Sequence, residues 1–531
     1  MVKNTELEKP ASRTFVRKMF FSVVYVMMLT SIIATVVVLT QGICIQKFMG
    51  ENGDVATGAM GLAMPIFAFG TFFCYTFGFG LQILASRNIN STKRDEISHY
   101  FTANLILCMC AFIVFMLIGN LLNSQLAKLL GAGSSGDKPE LQLKYCKQAI
   151  QGYFTGFVFI CLFRSFHPSI YLDKAKKYAY AATGAMLVTA VGSFLLAGFF
   201  APIETRMFWF GFLTTFSYAG GILVFVIYFI VRKRAALFKL RFYGLKPYHF
   251  GHLFKFGAPT GLRKLSFALY FMLLNLIILA VDSSFVATEA SGCQLHYQTL
   301  LVVVSSGIYY SCATMSSYFT NLKDRQYFDE LLKFITIICF GFMPIISLIF
   351  IALAEPLVIL YGAGADEAVV YYAAISSIRW FAAALPFITF GGVWLSVYQG
   401  ANNNKWMYLS IVWQDFFPLV FVAIFGFLGK LGGEDVGRYC IWVGEFFGPI
   451  GVIIVHFFLG WIINKKEPFS ANAIFFLEKK KLYPNNQVLR LNLNNKKILC
   501  ILLAVLLALA LFGSDGSMWT EYDLKHINIP I

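Results

Sequence analysis

Twelve long apolar stretches dominate this sequence and constrain its fold more than any other feature. A helix needs about 20 predominantly apolar residues to cross the hydrocarbon of a bilayer. Short loops separate the stretches, and no globular insertion interrupts the series. The sequence therefore predicts an all-α polytopic membrane protein with twelve transmembrane helices. The predicted spans are 19–46, 56–86, 100–122, 146–170, 178–200, 207–231, 253–280, 296–320, 331–353, 369–396, 407–428 and 439–463.

The composition excludes the main classes of soluble protein. Of 531 residues, 58% are hydrophobic and only 13% are charged, whereas an ordinary soluble domain has about 25% charged residues. The eleven cysteines stand singly, without the spacing of a zinc site or a redox pair. The sequence has no Walker A loop, no H-E-x-x-H motif and no dinucleotide-binding glycine pattern. We therefore expect neither an enzyme nor a metal or organic cofactor.

The basic residues predict the orientation in the membrane. The net charge is +16, and the Lys and Arg residues flank the apolar runs, which is typical of residues near anionic lipid rather than of a nucleic-acid site. One side of the predicted topology has 28 Lys and Arg residues and the other has 8. Because basic residues accumulate on the cytoplasmic side, the N-terminus and residues 464–497 are predicted to be cytoplasmic, in a protein of the cell membrane.

The end of the chain differs from the rest. Residues 498–512 form a further apolar run, but at 1.5 Å per residue a helix of this length is only about 23 Å long. This is shorter than the hydrocarbon layer. We expect an accessory segment that either thins the bilayer or lies at its surface. The predicted regions are a cytoplasmic N-terminus (1–18), a first bundle (19–231), a basic linker (232–252), a second bundle (253–463) and a tail (464–531).

The two halves of the chain resemble each other at an offset of 231 positions. Val55–Gly61 recurs as Val286–Gly292, and Gly131–Gly133 recurs as Gly362–Gly364. Six spans per half is an even number, so both halves run the same way through the membrane. Parallel repeats are related by a pseudo-twofold axis along the membrane normal, with the substrate site between them. The repeat predicts two parallel six-helix bundles that alternate the access to a central site.

Several glycine-containing segments form a recognisable series along the chain: Gln41–Gly50 followed by Val55–Gly61, Gly78–Arg87, Leu130–Gly133, Phe256–Leu262 and Tyr361–Gly364. In their order and spacing these segments resemble the multidrug and toxic-compound extrusion (MATE) family of the flippase-like exporter superfamily. The resemblance implies a secondary antiporter that is driven by Na⁺ or H⁺ and exports amphipathic organic cations.

The sequence departs from the family pattern at the usual ion-coupling positions. Gln41 stands where members often have an Asp in the first helix, and Leu265–Phe267 stand where some branches have a Glu. No proline lies between Val24 and Ser31, where members have one. An amide cannot exchange a proton. The coupling groups therefore have to be sought elsewhere in the chain.

Ionisable residues inside predicted spans are functional candidates because a charge in the bilayer is costly. Asp415 on the eleventh span and Glu445 on the twelfth are the candidates for ion coupling. Arg164 and Arg379 are basic candidates for the cleft. The alternative for both is that the side chain extends to the membrane surface. Arg379 is also a candidate partner of Asp415 or Glu445.

Other residues have a structural and a functional interpretation. Gln41, Asn275 and Gln298 are candidates to line the cleft, and the alternative is hydrogen bonding between helices. Pro259, Pro386 and Pro449 are hinge candidates, and the alternative is ordinary helix packing. The many aromatic side chains suit flat organic cations.

The leading hypothesis is a MATE-like exporter, monomeric in the bilayer, for a small amphipathic cation. One alternative is a flippase for lipid-linked oligosaccharides or polysaccharides, which predicts a more basic cleft and fourteen spans. The other is a membrane sensor or scaffold that does not transport and acts through its basic tail.

Overall fold

The computed structural model describes residues 13–89, 95–133, 138–172, 176–231, 238–282, 286–322, 325–361, 368–401 and 404–463. Within these ranges the regular structure is entirely helical. The prediction for residues 498–512, like the rest of the tail, lies outside the described residues.

The described residues form seventeen α-helices, and a π-helical turn, Ile338–Phe342, joins the twelfth to the thirteenth. The helices are α1 Arg13–Phe48, α2 Gly53–Asn88, α3 Glu96–Leu121, α4 Asn123–Leu129, α5 Pro139–Thr155, α6 Phe157–Leu172, α7 Lys176–Phe200, α8 Arg206–Phe216, α9 Ala219–Val231, α10 Pro247–Val281, α11 Val286–Leu322, α12 Arg325–Ile337, α13 Met343–Ala352, α14 Ala354–Tyr361, α15 Ala368–Ala401, α16 Asn404–Lys430 and α17 Glu434–Ile463.

These helices account for all twelve predicted spans. Ten described helical segments are long and apolar enough to cross a membrane, and α5 with α6, bent by 44°, makes an eleventh. The 36-residue α1 corresponds to the remaining predicted span. The predicted all-α fold is therefore confirmed.

Some helices extend beyond the predicted spans. The seventh predicted span begins at residue 253, whereas α10 begins at Pro247. A proline suits the first helical position because its missing N–H needs no partner there. The backbone N–H of Lys246 donates to Nδ1 of His249 at 3.0 Å and so fixes this start. Apolar length alone does not detect such polar helical turns.

The helices of each half pack mainly with one another, and two helix pairs make the most extensive contacts between the halves. The most extensive contacts within the first half join α5 to α8 and α7 to α9, and those within the second join α11 to α15 and α16 to α17. The pairs α2–α10 and α1–α11 connect the halves. Corresponding helices begin close to the predicted offset, with α3 at Glu96 and α12 at Arg325.

Glycines bring α2 and α10 into close contact near the predicted cytoplasmic end. A Cβ at Gly257 would overlap the backbone carbonyl of Thr76. Small residues allow membrane helices to approach in this way. Nearby, the amide of Gln82 donates to the hydroxyl of Thr314, and Ser317 donates to the carbonyl of Ile83 at 3.4 Å. These contacts join the two halves at this end of the molecule.

An arginine near the start of the last span of each half holds the end of the first span. In the first half, Arg206 donates to the carbonyls of Phe48 and Ala201. In the second half, Nε of Arg438 donates to the buried carboxylate of Asp282 at 3.1 Å. The two arginines lie within one position of the repeat offset, and among the described residues only the second makes an ion pair.

Candidate functional site

A cavity of about 210 Å³ lies between the two halves, near the middle of the spans that surround it. Its walls come from α1, α2 and α6 of the first half and from α10, α11, α15, α16 and α17 of the second. It contains both acidic and basic side chains, together with six aromatic ones. The lining includes Tyr75, Arg164, Arg263, Lys264, Phe267, Tyr270, Gln298, Tyr309, Tyr310, Asp415, Glu445 and Pro449.

Glu445 of α17 is a buried carboxylate held by neutral donors. Its Oε1 accepts a hydrogen bond from the hydroxyl of Tyr270 at 3.1 Å, and its Oε2 accepts one from Nε2 of Gln294 at 2.7 Å. Only 4% of the residue is exposed. None of the ion pairs within 4.0 Å among the described residues includes Glu445. The carboxylate is therefore placed where a proton or a small cation can bind and change the charge of the cavity.

Asp415 of α16 is the second carboxylate of the cavity. The charges of Arg263 and Lys264 act on it. Its Oδ2 is buried without a hydrogen-bond partner among the described residues. The neighbouring Gln414 donates to the backbone carbonyl of Gly391, which attaches this part of α16 to α15. Asp415 thus partly offsets the positive charges of Arg263 and Lys264.

Three basic side chains line the same cavity, and we refer to Arg164, Arg263 and Lys264 as the basic trio. Arg164 and Lys264 both lie over the ring of Tyr75, at 4.6 and 4.8 Å from its centroid. Arg263 lies over the ring of Tyr309 at 4.3 Å. None of the three makes an ion pair within 4.0 Å with a described carboxylate. Three positive groups therefore face two negative ones.

Two members of the basic trio were missed by the sequence analysis. Arg263 and Lys264 lie well inside the predicted span 253–280. The cost of a charge in the bilayer, which selected Arg164, applies equally to them. The signal was therefore present in the sequence.

Five of the ten predicted site residues line the cavity. Gln298, Arg164 and Pro449 line it together with both predicted carboxylates. Pro259 and Pro386 lie inside α10 and α15. Their hinge role stays a prediction.

Gln41 and Arg379 lie elsewhere. The amide of Gln41 is buried within the first half, where it donates to Oγ1 of Thr214 at 2.7 Å. This matches the alternative interpretation of Gln41 as a hydrogen bond between helices. Arg379 does not line the cavity, and its charge acts on Tyr371 near the start of α15.

The predicted pairing of Arg379 with Asp415 or Glu445 is not among the ion pairs of the described residues. The oxygens of Glu445 are occupied by neutral donors, and the charges that act on Asp415 come from α10. Asn275 lies on α10, but its side chain is outside the described residues.

Comparisons with known proteins agree with this architecture. Residues 30–193 match the MatE family model. A multidrug resistance MATE family transporter of the MOP superfamily, solved in an outward-facing conformation, has a TM-score of 0.68 at 18% identity, over 84% of this chain and 97% of that chain. The chain has the MATE fold. The resemblance to the MATE family predicted from the sequence is thereby confirmed.

Two further proteins with the MATE fold are informative. A mutant of the Vibrio cholerae MATE transporter VcmN gives a TM-score of 0.66 at 15% identity, over 87% of this chain and 99% of that chain. A MOP superfamily transporter from Pyrococcus furiosus gives 0.69 at 17% identity, over 83% and 94%. Its binding pocket is described as having reverse polarity, which suggests a different function for that protein. A search of curated proteins finds no significant match.

Proposed function

We propose that this protein is an ion-coupled secondary transporter that moves small amphipathic organic molecules across the cell membrane. The observation that supports this function best is the position of the buried Glu445 and the half-buried Asp415 in a cavity between two halves of a chain with the MATE fold. Intramembrane carboxylates are typical of ion pathways and proton relays. Transporters built from parallel repeats bind their substrates at the repeat interface.

Glu445 is suited to transmit the binding of an ion to the rest of the protein. Its two hydrogen-bond donors, Tyr270 and Gln294, belong to α10 and α11. These are also the helices through which the second half contacts α2 and α1 of the first half. When H⁺ or Na⁺ binds, the carboxylate loses its need for one or both donors. We infer that this change alters the packing of the two halves.

The contacts between the halves provide the structural basis for alternating access. We propose that the closed end is cytoplasmic, because the predicted topology places most basic residues there. Transport then requires Gly257 to leave the carbonyl of Thr76 and the pair Gln82–Thr314 to separate. Opening this end while the opposite end closes would expose the cavity alternately to the two sides.

A reconstitution experiment tests this function without assuming the charge of the substrate. Purified protein in proteoliposomes is given an inward gradient of Na⁺ or of H⁺, and the fluxes of ethidium and of 2-naphthoate are followed. We expect one gradient to drive one of these probes. The Glu445→Gln variant should lose this gradient-dependent flux.

The matched control is Glu434→Gln, which removes a carboxylate from the first turn of the same helix, outside the cavity. It should retain the flux of the unmodified protein. Equal gradient-driven flux in Glu445→Gln and in the unmodified protein would contradict the proposed role of Glu445.

The basic trio supports a second candidate function, the flipping of lipid-linked saccharides. A phosphate that links a saccharide to a lipid would find three cationic groups in the cavity. The antiport of organic cations expected from the family resemblance is a more specific form of our leading proposal. It requires the cation and the coupling ion to compete for the same carboxylates.

A further inference from the structure

The basic trio carries information about the substrate because its charges are not balanced within the cavity. In the low-dielectric interior of a membrane protein, a positive group without a negative partner is costly. Asp415 lies close enough to act electrostatically on Arg263 and Lys264, but Glu445 is held by neutral donors. At least one positive charge therefore lacks a counter-charge among the described residues that line the cavity.

We propose that the substrate is an amphipathic organic anion whose acidic group binds the basic trio. This inference rests on the proposed function, since it names the substrate class of the same cavity. A carboxylate, sulfonate or phosphate would supply the missing negative charge through charge-assisted hydrogen bonds from guanidinium and ammonium groups. The apolar body of the substrate would pack against Phe267 and Tyr310, which also line the cavity.

The position of the trio explains how such an anion could connect binding with conformational change. Arg164 belongs to α6 of the first half, whereas Lys264 belongs to α10 of the second, and both lie over Tyr75. An acidic group between them would contact both halves at once. Its binding would thus favour the conformation in which these two helices are close.

The charge of the substrate also determines whether ion binding at Glu445 strengthens or weakens substrate binding. A proton or Na⁺ that binds Glu445 makes the cavity more positive and therefore strengthens the binding of an anion. Because such coupling is reciprocal, the anion strengthens ion binding to the same extent. A cationic substrate would have the opposite effect and would compete with the ion.

Binding to purified protein in nanodiscs tests this inference with a matched pair of ligands. 2-Naphthoate and 2-naphthylmethylammonium have the same aromatic ring but opposite charges. We expect 2-naphthoate to bind more tightly to the unmodified protein. Lys264→Gln and Arg263→Gln should each weaken its binding about tenfold, which corresponds to the loss of one favourable charge interaction.

The carboxylates should act in the opposite direction. Glu445→Gln has the charge of the proton-bound state, so it should tighten the binding of 2-naphthoate about tenfold. Asp415→Asn should do the same because it removes the negative group that acts on Arg263. A purely structural role of these residues would not produce opposite effects from acidic and basic variants.

Two variants control for charge and folding. Lys255→Gln removes an exposed positive charge from the same helix α10, outside the cavity, and should leave 2-naphthoate binding unchanged. Lys264→Arg retains the charge and should retain most of the affinity. Tighter binding of 2-naphthylmethylammonium than of 2-naphthoate would overturn the inference. So would a change of 2-naphthoate affinity in the same direction in Lys264→Gln and Glu445→Gln.

Competition experiments distinguish a lipid-linked anion from a free one. If farnesyl phosphate displaces 2-naphthoate at lower concentration than 2-naphthyl phosphate does, the substrate is a lipid phosphate. The reverse order identifies a free organic anion. In the flux assay, gradient-driven movement of ethidium alone would overturn this inference but leave the proposed function standing. The absence of gradient-driven flux for every anion and cation in the panel would contradict the proposed function itself.

Discussion

The two halves of the chain repeat the same order of membrane-spanning helices, but they bury different polar groups. In the first half, Gln41 forms a neutral hydrogen bond with Thr214, whereas in the second half Glu445 places a carboxylate in the central cavity. The difference shows that the repeat preserves the packing of the helices without preserving the chemistry. We infer that ion coupling belongs to the second half.

The arginines near the start of the last span of each half show the same difference. Arg206 binds backbone carbonyls, and Arg438 binds the carboxylate of Asp282. Both interactions attach the sixth span to the end of the first span of the same half. The arginine of the first half is thus held by neutral carbonyl groups, whereas the arginine of the second half is held by an ion pair.

The largest effect on stability should come from breaking the ion pair. Arg438→Met leaves the fully buried Asp282 without its cation, which costs about 3–5 kcal/mol. Arg206→Met removes hydrogen bonds to carbonyls at a half-buried site and should cost about 1–3 kcal/mol. Unfolding of the purified variants in one detergent measures both changes. Equal destabilisation would show that the charge of Asp282 does not distinguish the two halves.

A smaller effect should appear at the helix pairs that join the halves. At Gly257 a new Cβ meets the backbone of Thr76, whereas at Gly307 it meets the flexible side chain of Met28. Gly257→Ala should therefore cost about 1–3 kcal/mol from overpacking and should slow transport. Gly307→Ala should cost less, because the side chain of Met28 can rotate away whereas the backbone of Thr76 cannot.

Thermal unfolding and the initial rate of gradient-driven flux provide the measurements for this pair. Identical behaviour of the two alanine variants would contradict the assignment of α2–α10 as the tighter contact between the halves.

The smallest effect should come from Gln41. Gln41→Leu removes the hydrogen bond to Thr214 and should destabilise the protein by about 1 kcal/mol. Since Gln41 does not line the cavity, the dependence of transport on the ion gradient should be unchanged. The half-maximal ion concentration measures this directly, and a clear shift would show that the first half takes part in coupling.

The sequence predicted the fold well because apolar length and repeat spacing both follow from the membrane. It could not predict the bend between α5 and α6, where Gly156 packs closely against α8. A Cβ at Gly156 would meet Oγ1 of Thr215 and the ring of Phe212 on α8. Neither neighbour is close to Gly156 in the sequence.

The candidate site was predicted only in part. The cost of placing a charged side chain inside the bilayer was enough to identify Glu445 and Asp415. The same cost applies to Arg263 and Lys264, although these two residues were overlooked. The position of Arg379 could not be predicted because α15 is apolar, and 94% of its most apolar window is buried. A helix surrounded by protein has no polar face to show which side lies toward the cavity.

The most direct test of our central claim compares Glu445→Gln with Gln41→Leu in two assays on the same proteoliposomes. One assay measures exchange of labelled for unlabelled substrate without an ion gradient, and the other measures accumulation driven by the gradient. Glu445→Gln should retain exchange and lose accumulation, whereas Gln41→Leu should retain both. Gradient-driven accumulation that persists in Glu445→Gln but disappears in Gln41→Leu would contradict the assignment of ion coupling to the second half.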